Sequence, residues 1–157
     1  MPITWKVFRF TTCSHLRKER PMAAEQESSI TNQAPAFAKE RPLTANQQLL
    51  ERCINHCLEV VKTASTCANW CITSDKSQTL AECSRSCLDA ATITAANATM
   101  MARGSRFSGP VTSVCADICE SCASMCEHHS HYSEIIQQCA ETCRRCAETC
   151  REMAAVA

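Results

Sequence analysis

The chain has 157 residues with 16 basic and 16 acidic side chains, so it offers no basic footprint for nucleic acid or an anionic membrane. Two glycines and 4% aromatic residues exclude a turn-rich sandwich or barrel and leave an all-α chain. Fifteen cysteines are the outlying number; they are odd in count, sit in helical sequence and follow no visible signal peptide.

That cysteine usage predicts reduced thiols in the cytoplasm rather than a secreted disulfide scaffold. No apolar run is long enough to span a membrane. Residues 1–43 carry Pro2, Pro21, Pro35 and Pro42 in mixed polar sequence and predict a poorly ordered tail. Met22 is a candidate alternative start, and Cys13 reads as a stray exposed thiol. The domain is expected over 44–157. Its first helix opens at "TANQ", Thr44 to Gln47, a capping box, and runs to about Thr73, where "TSDKS" supplies turn and cap residues. The second runs from about Ser77 to Arg103 and stops at "GSRFSG". Pro110 suits the first turn of the third helix, which ends near Glu127. "HHSHYS" makes the next turn, and the fourth helix runs from about Ser133 to Met153. Four helices on short loops predict an antiparallel up-down-up-down bundle.

The cysteines follow the inward stripe of each helix. "CADICESCASMC" (115–126) and "CAETCRRCAETC" (139–150) repeat one 4-3-4 spacing through Cys115, Cys119, Cys122 and Cys126 and through Cys139, Cys143, Cys146 and Cys150. The first helix carries Cys53, Cys57, Cys67 and Cys71, with Val60 and Ala64 in the middle of its seam. The second starts with Cys83 and Cys87 and continues with Ala90, Thr94, Asn97 and Met101. Fourteen thiols therefore line one tube. Leu packs a bundle far better than Cys, so small-residue packing does not account for them.

Disulfide clamps between i and i+4 residues are sterically allowed, but they leave the Cys119–Cys122 and Cys143–Cys146 steps unexplained and need an oxidising compartment. A disulfide-clamped helical interaction domain stays open as the alternative reading. A thiol redox enzyme would need one activated cysteine, and no position stands out, so no enzyme is expected. Zinc and iron–sulfur sites favour loop-borne knuckles, which are absent. A rigid helix offers pairs of thiolates, and soft, low-coordinate Cu(I) accepts pairs.

With four cysteine-bearing helices, the "CxxxCxxCxxxC" pattern twice and "HHSHY" between, residues 44–155 resemble the cysteine-rich, cytosolic four-helix-bundle copper storage proteins. The resemblance implies storage of multiple Cu(I) ions by core thiolates, copper sequestration and homeostasis, a cytosolic location and assembly into a homotetramer. His128, His129 and His131 fall in the turn at the same end as the first loop and read either as a mouth that passes copper to Cys126, Cys71 and Cys83 or as a solvated polar turn; they are counted with the fourteen thiols as metal-site residues. His56, one position off the seam, reads as a flank residue. Met101 and Met153 fall on the seam near the other end, where thioethers can bind Cu(I) or fill gaps. Asn97 is placed to bond across helices. Second apolar stripes, Val111, Val114, Ile118 and Met125, and Ile54, Leu58 and Val61, predict a symmetric oligomer.

Overall fold

The computed structural model describes residues 43–156; the expected tail up to residue 42, with Cys13 and Met22, lies outside the described residues. Four α-helices follow in order: α1 Ala45–Thr73, α2 Ala81–Ala102, α3 Ser108–His129 and α4 Glu134–Val156. Among the described residues there is no strand, and no helix is long and apolar enough to cross a membrane.

Thr44 caps α1 as expected. Its hydroxyl accepts from the Gln47 N–H at 3.3 Å, and the Gln47 side chain accepts from the Thr44 N–H at 2.9 Å. The predicted start of the second helix at Ser77 is corrected to Ala81. Residues 75–80 coil as separate turns, with the Leu80 N–H on the Lys76 carbonyl at 3.0 Å. α2 begins only where Leu80 has turned fully into the interior. It ends at a left-handed Gly104 (φ 63°), whose N–H bonds the Met101 carbonyl at 3.1 Å while the Ser105 N–H bonds that of Met100 at 3.0 Å. Pro110 sits in the first turn of α3, where its missing N–H costs nothing. His128 and His129 complete the last turn of α3 instead of lying in a loop, and the turn proper shrinks to a 3₁₀ turn, Ser130–Tyr132. Ser133 then caps α4 by accepting from the Ile135 N–H at 3.1 Å.

Each helix packs on its sequence neighbour and α1 on α4. The pairs Cys53–Cys150 and Cys83–Cys126 join the start of one helix to the end of another, so neighbours run antiparallel. Exposed ion pairs fix that register around α4. Arg52–Glu152 (2.6 Å) and Arg145–Glu59 (2.9 Å) tie it to α1; Arg144 to Glu120 and Glu127, and Arg151–Glu120 (3.1 Å), tie it to α3. Such half-exposed pairs contribute about 0–1 kcal/mol each, so they select alignment more than they stabilise it.

The core is poor in large aliphatics. Leu80, Ile136 and Val60 are the largest fully buried apolar side chains, and cysteine and alanine make up most of the rest. The second stripes remain partly uncovered: Leu58 and Val114 are exposed, while Ile54, Ile118 and Met125 are half-buried.

Candidate metal centre

All fourteen seam cysteines are fully buried free thiols. Helical spacing brings i, i+3 and i+4 sulfurs together on each helix, and antiparallel packing sets those stripes against one another. Cys57, Cys115, Cys146 and Cys150, drawn from three helices, bring four sulfurs within 4.8 Å of one another; Cys67, Cys87, Cys126 and Cys139, drawn from all four, do the same. Two groups of three, Cys67 with Cys71 and Cys83, and Cys122 with Cys139 and Cys143, share Cys67 and Cys139 with the second foursome. Shared membership matters chemically. A separate tetrahedral Zn²⁺ site keeps its four ligands to itself, whereas overlapping groups suit bridging thiolates around several soft ions.

The sulfur–sulfur hydrogen bonds sort the thiols into two sets. One holds Cys53, Cys57, Cys115, Cys119, Cys146 and Cys150, with contacts such as Cys53–Cys150 at 3.6 Å and Cys57–Cys146 at 3.7 Å. The other holds Cys67, Cys71, Cys83, Cys87, Cys122, Cys126, Cys139 and Cys143, with Cys87–Cys126 at 3.7 Å and Cys83–Cys126 at 3.8 Å. On α1 and α2 the space between the sets is filled by Val60, Ala64, Ala90 and Thr94, all buried. The Thr94 hydroxyl donates to the Ala90 carbonyl of its own helix at 2.7 Å.

Within each set the protons are shared unevenly. Hydrogen bonds from Cys119 first, and then from Cys146 and Cys150, bring Cys115 down to about 5. Cys57 is held low by hydrogen bonds from Cys115, Cys146 and Cys150, and Cys67 by those from Cys126, Cys139 and Cys83. At the edge of its set, burial first and then charge on Cys67 and Cys83 push Cys71 up. Each set thus mixes sulfurs whose thiolate is favoured by neighbouring S–H donors, such as Cys57, Cys115 and Cys67, with sulfurs held protonated as those donors, such as Cys150 and Cys126.

Asn97 is buried on the α2 seam, as its position implies, and bonds across helices. Its amide donates to Cys57 Sγ at 3.6 Å and Cys150 Sγ at 3.8 Å, while its Oδ1 accepts from Thr112 at 2.8 Å. Sequence reasoning missed Thr112, and with it Leu80 and Ile136, all buried. Extending the cysteine seams of α2, α3 and α4 back by one three-residue step lands on these residues.

The histidines stand apart from the thiols. His128 and His131 are exposed and His129 is half-buried; the His128 and His129 rings lie 5.0 Å apart, and His131 lies 4.0 Å from Tyr132. No group of three or more ligand atoms within 4.8 Å includes a histidine among the described residues. Burial first, then charge on His128 and His131, lowers His129 and keeps it neutral further into acid than an exposed imidazole. His56 lies on the α1–α4 flank, its Nδ1 2.7 Å from Thr149 Oγ1. Because that hydroxyl donates to the Arg145 carbonyl at 2.8 Å, it accepts from the imidazole N–H. Met101 is buried and Met153 half-buried at the other end.

Comparison with known proteins joins this geometry to a family. The family model described as "Copper storage protein" matches residues 46–155. A cytosolic copper storage protein from Streptomyces lividans, caught during copper loading, is 29% identical over 70% of this chain and 95% of its own, with a TM-score of 0.68. The Cu(I)-bound copper storage protein BsCsp3, from Bacillus subtilis, is 34% identical over 68% of this chain and 99% of its own, with a TM-score of 0.64. A Nitrosospira multiformis protein is 37% identical over 70% of this chain and 98% of its own, with a TM-score of 0.63. No curated protein matches the chain in sequence.

Proposed function

The chain belongs to the copper storage protein family, and from that premise we propose that its fourteen core thiols together hold multiple Cu(I) ions in reserve and out of circulation. The observation that carries this reading is the overlap of the buried thiol groups at Cys67 and Cys139, which suits bridged, multi-ion binding. Anaerobic Cu(I) titration tests it, with the expected result argued in the Discussion. The thiols being free also weighs against disulfide clamps, and their uniform burial leaves no accessible thiol among the described residues for a redox enzyme. The function is storage, without catalysis. The binding unit is residues 44–157, an assignment supported by the span of the family match, and the segment before it is not part of the store. The Streptomyces relative is described as cytosolic, and reduced thiols fit the same compartment here.

Copper enters at the histidine end. Imidazole nitrogens at His128, His129 and His131 accept Cu(I) at the surface and pass it inward to Cys126, Cys71 and Cys83. Replacing all three by Ala slows loading and removal while capacity stays near the wild-type value, because the storage ligands are the thiols. Stopped-flow loading from a Cu(I)–chelator complex measures this. Unchanged rates, with slowing in Met101→Ala and Met153→Ala instead, would place the entrance at the other end.

The bundle assembles into a homotetramer. Two surface grooves flank α2, one lined by Ile54, Leu58, Ala98 and Ala102, the other by Ile93, Ala96 and Ile118, and small residues there let a neighbouring helix approach closely. Ile118→Glu would bury a charge in such a contact and split the assembly. Multi-angle light scattering decides it: a wild-type monomer overturns the proposal.

A further inference from the structure

The two sets of thiols are not joined by any sulfur–sulfur hydrogen bond, and the gap between them is asymmetric. On the α1 and α2 side it is closed by Val60, Ala64, Ala90 and Thr94. Three of these carry no ligand atom; the fourth offers only a hard hydroxyl already committed to its own helix. On the α3 and α4 side the sulfur seam runs on. Cys119 and Cys122 are one three-residue step apart, as are Cys143 and Cys146, so each pair straddles the gap as neighbours on a helix face. Cys119 and Cys143 lie in different sets, and each stands one three-residue step along its own helix from a thiol of the other set.

We propose that Cys119 and Cys143 form the transfer step by which Cu(I) passes from the histidine-end half of the store to the far half. This rests on the storage reading and on entry at the histidine end. The step is thiolate exchange. Cu(I) held by Cys122 and Cys143 gains a bond to Cys119 and then loses the bond to Cys122; the Cys119 proton passes to the released Cys122 sulfur. Charge and oxidation state are unchanged. A second exchange, Cys146 for Cys143 with the Cys146 proton passing to the released Cys143 sulfur, completes the crossing. Neither half can pass metal along α1 or α2, so one side of the tube carries all the traffic.

The test uses the full chain labelled with ¹³C at cysteine Cβ and followed by NMR, which reports each thiol as it is metallated. A limiting Cu(I)–chelator complex supplies the metal. In the wild type, Cys126 and Cys139 respond first and Cys57 and Cys150 after a lag. In the Cys119→Ala/Cys143→Ala variant that lag lengthens about tenfold or more, because both footholds across the gap are gone. Adding Val60→Cys and Ala64→Cys lays a second sulfur path along α1 and shortens it again. The same two additions in the wild-type chain shorten its lag, which keeps the test valid if the deletion variant folds poorly by circular dichroism. An unchanged lag in the folded deletion variant overturns the proposal, as does simultaneous response of both sets in the wild type. Failure of the storage reading looks different: the wild type would saturate after one or two ions before any lag is measured.

Discussion

Anaerobic titration of the metal-free protein with Cu(I) against a competing chelator is expected to saturate at about 10 to 14 ions per chain. The magnitude follows from coordination arithmetic. If each Cu(I) takes two thiolates and most thiolates bridge two ions, capacity approaches one ion per buried thiol, and fourteen thiols are buried. Cys67 and Cys139, each shared by two groups of sulfurs, are placed for one thiolate to serve two ions. Thiols that are still protonated give up their protons on binding, so loading releases acid and weakens as pH falls. Sulfurs such as Cys71, pushed up by burial and by charge on Cys67 and Cys83, yield their metal first on acidification. Cys115, already held down at about 5, yields its metal later. Saturation at one or two ions would leave the thiols as packing and overturn the storage reading.

The second large effect concerns stability. Copper is expected to raise the thermal midpoint by at least about 20 °C, because an ion held at 100 times its dissociation constant adds about 2.7 kcal/mol and several bind per chain. The metal-free chain starts from a weak position. Its fully buried apolar residues are mostly Cys and Ala, with Leu80, Ile136 and Val60 the largest, and burial stabilises by only about 25 cal/mol per Å². The helices nevertheless form without metal. The Thr44 capping box, the Gly104 stop and the Arg–Glu ties around α4 do not depend on the thiols. Far-ultraviolet circular dichroism of the metal-free protein should therefore be strongly helical, with near-identical helix content after loading. A random-coil spectrum would mean that the chain wraps around its metal instead of receiving it into a preformed tube.

The architecture was legible in the sequence because helix signals here are local. A capping box, a glycine stop, a first-turn proline and an unbroken 4-3-4 stripe each act within a few residues. The start of α2 was not legible: Ser77 has cap chemistry, but the chain must first turn Leu80 under the bundle, a requirement set by the opposite helices. The same limit applies at the site. Spacing identified all fourteen thiols, since burial follows from the stripe. It did not reveal which sulfurs meet across helices, that they fall into two sets, or that the Asn97 amide is oriented by Thr112. Those facts depend on the vertical alignment of four helices, which the Arg–Glu pairs fix between residues up to 100 positions apart. His128 and His129 were misread as loop residues because "HHSHY" looks like a polar turn, and only the geometry extends α3 through His129, while His131 does lie in the turn.

Leu80 and Ile136 give the histidine end of the tube a further property. They sit one three-residue step before Cys83 and Cys139 on the cysteine seams and are fully buried. Neither offers an oxygen or nitrogen to an arriving ion. A strongly hydrated cation such as Mg²⁺ or Zn²⁺ would have to shed its water there with nothing to replace it, a desolvation cost of many kcal/mol. Cu(I), weakly hydrated and content with two ligands, has less of a shell to lose. Discrimination among metals would then be exercised at the threshold by dehydration, before any thiolate expresses a preference of its own.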